Sequence, residues 1–370
     1  MTNLPLDGVK VVDLSRVLAG PLCTMMLADL GADIIKVERP GRGDDTRGWG
    51  PPFDASGESA YYLSTNRNKF SVTADLNAAT DRALIASLID EADVVVENFR
   101  PGALSRAGLS ADDCLQRNGR LIWCTITGFG PRSPRPGYDA VVQAESGWMA
   151  ITGEPDGAPM KSGVAVTDLI AGRDAAIAIL AALVGRDSQR GARRLFISLV
   201  DSARSALVNV AQNSLLTGEE ARRWGNAHAN LVPYQLFRAS DRELVIACGS
   251  DEQWRACARV LGLDALAGDD ALTTNAGRLA HRARVVTAMQ QVLGGRTAAE
   301  WMRDLAGADV PCGLVKTVRE ALTEAAGASP VSGMPSSVGG ALRRPPPRLN
   351  EHGEAVRRHG WAAFSSPEHA

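Results

Sequence analysis

Carboxylates and arginines carry most of the chemistry open to this 370-residue chain. Asp168 lies in PMKSGVAVTDLIAG, directly before the long apolar run that begins at Leu169. At the start of a helix an aspartate is ordinarily a cap, accepting from the first free N–H groups. The same position also suits chemistry. The positive end of a helix would hold the carboxylate ionised and rigid, and an ionised aspartate can attack an activated acyl group to form a covalent intermediate. On this motif alone both uses stay open.

Three basic clusters fall at the ends of expected strands or helices. ERPGRGDDTRGWG puts Arg39, Arg42 and Arg47 in one glycine-rich loop, STNRNK adds Arg67 and Lys69, and ENFRPGALSRAGL adds Asn98, Phe99, Arg100 and Arg106. Guanidinium forks match phosphate oxygens, and Asn98 with Phe99 suits a base held by hydrogen bonding and stacking. If the clusters converge, the expected ligand carries several phosphates and an aromatic base. If they do not, they are solvated surface arginines. Histidine is confined to His228, His281, His352, His359 and His369, so a serine or cysteine nucleophile would take its base from the later part of the chain. No G-x-S-x-G elbow is present.

These residues need a scaffold. VKVVDL, AGPLCTMMLADLG and ADIIKVE read as strand, helix and strand, with Gly31 expected as a left-handed cap. FSVTADL, DRALIASLIDEA and DVVVENF repeat the pattern, and RLIWCTITGFG adds a strand. Apolar strands alternating with helices predict a parallel sheet covered on both faces, with ligands beyond the carboxyl ends of its strands. The first turn, SRVLAGP, lacks the three glycines of a dinucleotide fingerprint, so a nicotinamide site is disfavoured even though Glu38 ends the second strand. DLIAGRDAAIAILAALVG predicts a largely buried helix ending near Gly185, followed by strand LFISLV and helix SARSALVNVAQNSLLTG. EEARRWGNAHANLVPYQ reads as a linker, ELVIAC opens a separate strand-and-helix unit, and RRPPPRLNEHGE predicts an extended tail lying on another surface.

Composition narrows the classes further. Forty Lys and Arg against forty-two Asp and Glu give a net charge of -2, which offers no global field for nucleic acid or an acidic membrane. No apolar run is long enough and free enough of charge to predict a membrane span. The six cysteines, Cys23, Cys114, Cys124, Cys248, Cys257 and Cys312, form no C-x-x-C pair. With no leading signal peptide evident, they predict a reduced, cytoplasmic protein without a metal site.

Taken in order, these segments resemble the class III CoA-transferases of CaiB/BaiF type, the family of carnitine, bile-acid and formyl-CoA transferases. The resemblance runs from LDGVKVVDLSRVLAGPLCTMMLADLGADIIKVERPGRGDDTR through VENFRPGALSRAGL, the PGYDAVVQAESGWMAITGE segment and GVAVTDLIAG to the final PPPRLNEHGE. It implies an α/β fold with a Rossmann-like parallel sheet in a large CoA-binding domain over 1–215 and a linker over 216–235. A smaller α+β domain would span 236–328, and a tail over 329–370 would return to the large domain, all within an intertwined homodimer. It implies Asp168 as nucleophile, with Arg39, Asn98, Phe99, Arg106, Val17 and Lys69 holding CoA. Leu18, Tyr138, Asp139 and Gly249 would lie on the acyl side. The implied substrates are an acyl-CoA donor and a carboxylic acid acceptor, with no tightly bound cofactor and no metal. Leu18 replaces a glutamine of the formyl-CoA enzymes, which disfavours formate and oxalate, and Asn350 stands where a glycine is usual.

Two other readings share this pattern. An α-methylacyl-CoA racemase has the same fold, but its histidine base would fall in PGYDAV, where Tyr138 stands, and a phenol with pKa near 10 is a poor base at neutral pH. An idle CoA-binding homologue is the other, and the retained Asp168 counts against it.

Overall fold

The computed structural model describes residues 4–186 and 193–365. The chain divides into two compact units. One comprises Met1–Met149, Lys161–Ala221 and Ala325–Ala370, the other Ala150–Met160 and Arg222–Glu324. The second unit begins inside the linker expected over 216–235, well before the small-domain start expected at 236, ends at Glu324 rather than 328, and also takes in a short segment from the middle of the first.

In the first unit the β-branched runs form strands β1 (Lys10–Asp13), β2 (Asp33–Glu38), β3 (Lys69–Thr73), β4 (Val94–Glu97), β5 (Ile122–Thr127) and β6 (Arg194–Ser198). All pair in parallel, in the order β3-β2-β1-β4-β5-β6. This is the doubly wound arrangement, and its order reverses between β1 and β4, where loops leave in opposite directions and open a crevice. Its helices include α1 (Ala19–Asp29), α2 (Ala79–Asp90), α3 (Ala111–Arg117), α4 (Asp139–Glu145), α5 (Val166–Gly185), α6 (Leu199–Ser205) and α7 (Val208–Thr217). One apolar core joins α1, α5 and α6 to one face of the sheet through Val11, Ile34, Val96, Ile126, Ala175 and Ile179. The other joins α2, α3 and the tail residues Val356, Trp361 and Phe364 to the opposite face.

Small residues let α1 and α5 pack closely. A Cβ on Gly172 of α5 would sit 2.6 Å from the Ala19 carbonyl oxygen of α1. Contrary to the expectation of a largely buried helix, α5 buries only one side, through Ala171, Ala175, Ala176, Ile179 and Ala182. Ile177 and Val184 are 64% and 87% exposed. The stretch expected as one helix from Ser202 breaks into α6 and α7, because Val208 takes a positive φ of 42°.

The tail is a strap across the β3 edge. The Asn68 side chain accepts the N–H groups of Arg343 and Arg344, and Arg67 donates to the carbonyl of Ser332. Asn350 has φ +61°, and its side-chain oxygen accepts the Thr73 N–H at 2.8 Å and hydroxyl at 2.9 Å. The glycine usual at this position would satisfy the backbone. Asparagine does so as well, since it tolerates the left-handed region, and it adds two bonds.

The second unit holds an antiparallel sheet of β7 (Tyr234–Arg238), β8 (Glu243–Ala247) and β9 (Cys312–Leu314). Helices pack on it around the buried Trp254 and Trp301. No helix among the described residues is long and apolar enough to cross a membrane.

Candidate active site

At the reversal between β1 and β4 the two departing loops are tied together. The Asn98 side chain accepts the Arg16 N–H at 2.9 Å and donates to the Arg16 carbonyl at 2.8 Å. The next residue, Val17, has φ +73°, a strained conformation for a β-branched side chain. It is held there from below, where both Asp44 carboxylate oxygens accept its N–H, at 3.2 and 3.3 Å. Asp44 in turn takes the Lys36 ammonium at 3.0 Å. This turn leads into α1, whose first turn has no side-chain cap.

Beyond the turn lies a cleft of about 220 Å³ whose lining includes Val17, Leu18, Asn98, Phe99, Tyr138 and Asp168. Five residues named from sequence as ligand-binding thus meet the expected nucleophile. Arg100, a member of the third basic cluster, lines it too, as do Arg16, Asp45 and Arg135, to which the sequence reading gave no role at the site. Arg39 lies in the adjoining cavity over β1–β3, together with Ala74 to Leu76, and both cavities share Arg16 and Phe99. Arg106 lines neither cavity, and Gly249 belongs to the second unit, where its N–H donates to Gln253 Oε1 at 2.8 Å.

Several basic residues singled out from sequence turn out to be structural. Lys69 is fully buried and donates to Asp13 at 3.1 Å, to Asn66 and to the Pro21 carbonyl, so it is removed from any phosphate. Burial pushes its ammonium down to about 8 against the pull of Asp13. Burial alone would raise the Asp13 carboxyl, but Lys69 and Lys36 hold it well below the usual range. Arg47 is spent on Glu38 at 2.8 Å and on Glu58, and Arg67 on Asp29 at 2.7 Å. Arg39 keeps 43% of its side chain exposed while pairing with Asp45. Of the three clusters expected to converge, one is therefore entirely structural and one partly so. Sequence alone does not separate a buried ion pair from a ligand-facing cation.

Asp168 also corrects its expectation. It is not the cap but the third residue of α5, and the cap residue Ala165 makes no side-chain bond. That work falls to Asp139, expected to line the acyl site. Its carboxylate accepts the Thr167 N–H at 2.8 Å, the Thr167 hydroxyl at 2.7 Å and the Asp168 N–H at 3.4 Å. Gln143 donates to its other oxygen at 2.6 Å. The Asp168 carboxyl is reached from the cleft but otherwise enclosed. Burial first, and the neighbouring Asp139 charge second, push it up to about 7. The helix end does not keep it fully ionised, because desolvation outweighs the dipole. Tyr61, also missed from sequence, stands close enough that burial and the carboxylates of Asp168, Asp139 and Asp44 push its phenol up to about 12.

The loop between β5 and α4 closes tightly at its base, where a Cβ on Gly128 would sit 2.5 Å from Gly137 Cα. Within it the Arg135 guanidinium stacks over Phe129 at 4.1 Å and pairs with Glu145. Among the described residues no group of three His, Cys, Asp or Glu is placed to hold a metal ion.

Comparison with known proteins identifies the family. The family model described as CoA-transferase family III matches residues 6–352. Succinate–glutarate CoA-transferase of Agrobacterium fabrum is 43% identical over 328 residues, covering 85% of this chain and 81% of that one. Succinyl-CoA:glutarate CoA-transferase of Mus musculus is 41% identical, covering 94% and 84%. The crystal structure of a CaiB/BaiF family protein from Brucella suis superposes with a TM-score of 0.85 at 40% identity, covering 96% and 99%. With a carboxylate nucleophile candidate at the switch point of a doubly wound sheet and this family match along nearly the whole chain, the protein belongs to CoA-transferase family III and is a class III CoA-transferase, moving CoA between carboxylic acids.

Proposed function

We propose that the chain exchanges CoA between succinyl-CoA and a second short dicarboxylic acid such as glutarate, through covalent intermediates on Asp168. The relatives' names support the substrate class. The observation that carries the mechanism is the Asp168 carboxylate itself, facing a cleft and raised to about 7. A carboxylate of that basicity is a stronger nucleophile than an ordinary one and is still substantially ionised at neutral pH.

Asp168 attacks the thioester carbonyl carbon. A C–O bond forms, the C–S bond breaks, and CoA leaves as thiolate, giving a mixed anhydride. The thiolate attacks the aspartyl carbonyl, releasing the first acid as carboxylate and leaving an aspartyl-CoA thioester. The acceptor carboxylate attacks that carbonyl and expels the thiolate. Attack of the thiolate on the acceptor's acyl carbon then yields the new acyl-CoA and frees Asp168. No net proton is consumed, and each intermediate preserves the activation of the thioester. The uncapped N–H groups at the start of α1 suit the negative charge that develops on the acyl oxygen.

In this reading Arg39, Asn98, Phe99, Arg106 and Val17 hold CoA, while Leu18 and Tyr138 border the acyl group. Lys69 drops out of the set. Exposed apolar side chains at Ile177, Val184, Leu215 and Leu216 support a homodimer, which light scattering would test. For the reaction, purified protein given succinyl-CoA and glutarate should form glutaryl-CoA and succinate, and Asp168→Ala should abolish the exchange. Full exchange by Asp168→Ala would refute the nucleophile. Deuterium entering the α-carbon of a 2-methylacyl-CoA in heavy water would support racemisation instead.

A further inference from the structure

A third cavity, about 270 Å³ in volume, runs along the β5–β6 face of the sheet. Alternate residues of a strand share a face. Trp123, Thr125 and Thr127 of β5 therefore line the cavity with Arg194 and Phe196 of β6, Trp123 in register with Arg194 and Thr125 with Phe196. From Trp123 to Thr127 the strand rises about 13 Å. The Thr127 end reaches the Asp168 cleft, and the two cavities share Phe99, Arg100, Pro101 and Thr127.

Two donors are buried here with no acceptor among the described residues, Arg194 Nη1 and Trp123 Nε1. Buried donors left unpaired are uncommon in native proteins, and each calls for an explanation. The Arg194 guanidinium lies 5.5 Å from the Trp123 ring and 4.9 Å from Phe196, so a cation sits within an aromatic trough. The one carboxylate in the wall, Glu97, is already engaged, accepting the Phe99 N–H at 2.9 Å and the Thr125 hydroxyl at 2.5 Å. Arg100 and Arg194 then leave the groove a net positive charge. A ligand matching this wall offers an acceptor anion at one end and an apolar body behind it.

The exchange chemistry gives such a place a use. CoA stays at Asp168 as thiolate or aspartyl thioester while one acid departs and another arrives, and the Arg39 cavity suited to the nucleotide lies on the other side of the switch point. We propose that the β5–β6 groove is a holding site for the free carboxylic acid. Its carboxylate is taken by Arg194 Nη1 and Trp123 Nε1, and its chain lies along the aromatic wall toward Asp168. This rests on the CoA-exchange reading above and adds to it a route for the acid that bypasses bound CoA.

The test uses the full chain carrying Asp168→Ala, which binds without reacting, saturated with CoA and titrated with glutarate or succinate. The indole N–H resonance of Trp123, assigned through Trp123→Phe, should shift saturably, and the shift should vanish with Arg194→Gln. In the otherwise wild-type enzyme, Arg194→Gln should raise KM for the acid about tenfold, as expected for loss of one charged hydrogen bond. kcat and KM for acyl-CoA should stay within about twofold, and Arg194→Lys should recover part of the loss. An indole resonance that ignores both acids, or that moves with inorganic phosphate but not with glutarate, overturns the proposal. So does an unchanged acid KM in Arg194→Gln with normal exchange, which leaves the transferase reading intact. Failure of the wild-type protein to exchange CoA would sink that reading instead, and the resonance would still decide whether the groove takes carboxylates.

Discussion

Replacing Asp168 by asparagine should stabilise the protein while destroying its activity, and the gain should depend on pH. In the unfolded chain this carboxyl titrates near its ordinary 3.8, whereas burial and the Asp139 charge push it up to about 7 in the folded state. Between those values the native state holds a proton that the unfolded state releases, so stability falls as pH rises. The contribution is most favourable below 3.8, and the penalty is complete above about 7. Each tenfold change in proton affinity is worth about 1.4 kcal/mol, which puts the full penalty near 4 kcal/mol. The carboxyl also faces the cleft, where water screens it, and about 2 kcal/mol is the gain expected for Asp168→Asn at pH 8. Urea unfolding of both proteins between about pH 4 and pH 9 measures it. The two stability curves should meet at the acid end and separate through pH 7. Equal stability at pH 8, or a difference that does not change with pH, would refute the argument that the buried Asp168 carboxylate destabilises its own site.

Three further outcomes follow from the same geometry. Asp139→Asn keeps an acceptor for the first turn of α5 but removes the neighbouring charge, so the acid limb of the pH–rate profile, set by Asp168, should move to lower pH; an unmoved limb would show that burial alone sets it. Lys69→Met leaves Asp13 buried without its partner and should cost about 3–5 kcal/mol in denaturant unfolding, while the folded fraction should keep its CoA affinity, measured calorimetrically. Asn350→Gly retains the left-handed turn but loses the bonds to Thr73, and a destabilisation of about 1 kcal/mol is expected, with unchanged turnover.

Legibility in the sequence divided along physical lines. Runs such as VKVVDL and DVVVENF made their strands plain because buried parallel strands are apolar on both faces, and a cleft beyond their carboxyl ends followed from that. What the sequence hid was burial. Arg39, Arg47, Arg67 and Lys69 look alike in a string, yet Lys69 lies in the floor of the unit and Arg39 in a cavity wall. Asp168 and Asp139 likewise exchanged part of their expected roles. One helix start has two nearby aspartates, and only the three-dimensional placement shows that the residue 29 positions earlier is the cap. Arg194 and Trp123 gave no signal at all, since an arginine at the start of a strand reads as ordinary surface and a tryptophan in an apolar run reads as core.

The close crossing of Gly128 and Gly137 has a consequence for how the cleft of this chain can vary. The two backbones are pinned at the point where the loop leaves β5 and where it enters α4, so the residues between them form a closed module. Changes of sequence or length within that module alter the lining contributed by Pro134 to Pro136 without displacing Asp139, which begins α4, or the helix start that it caps. One wall of the cleft can therefore be re-cut by exchanging one short cassette while Asp168, the proposed nucleophile, stays where it is.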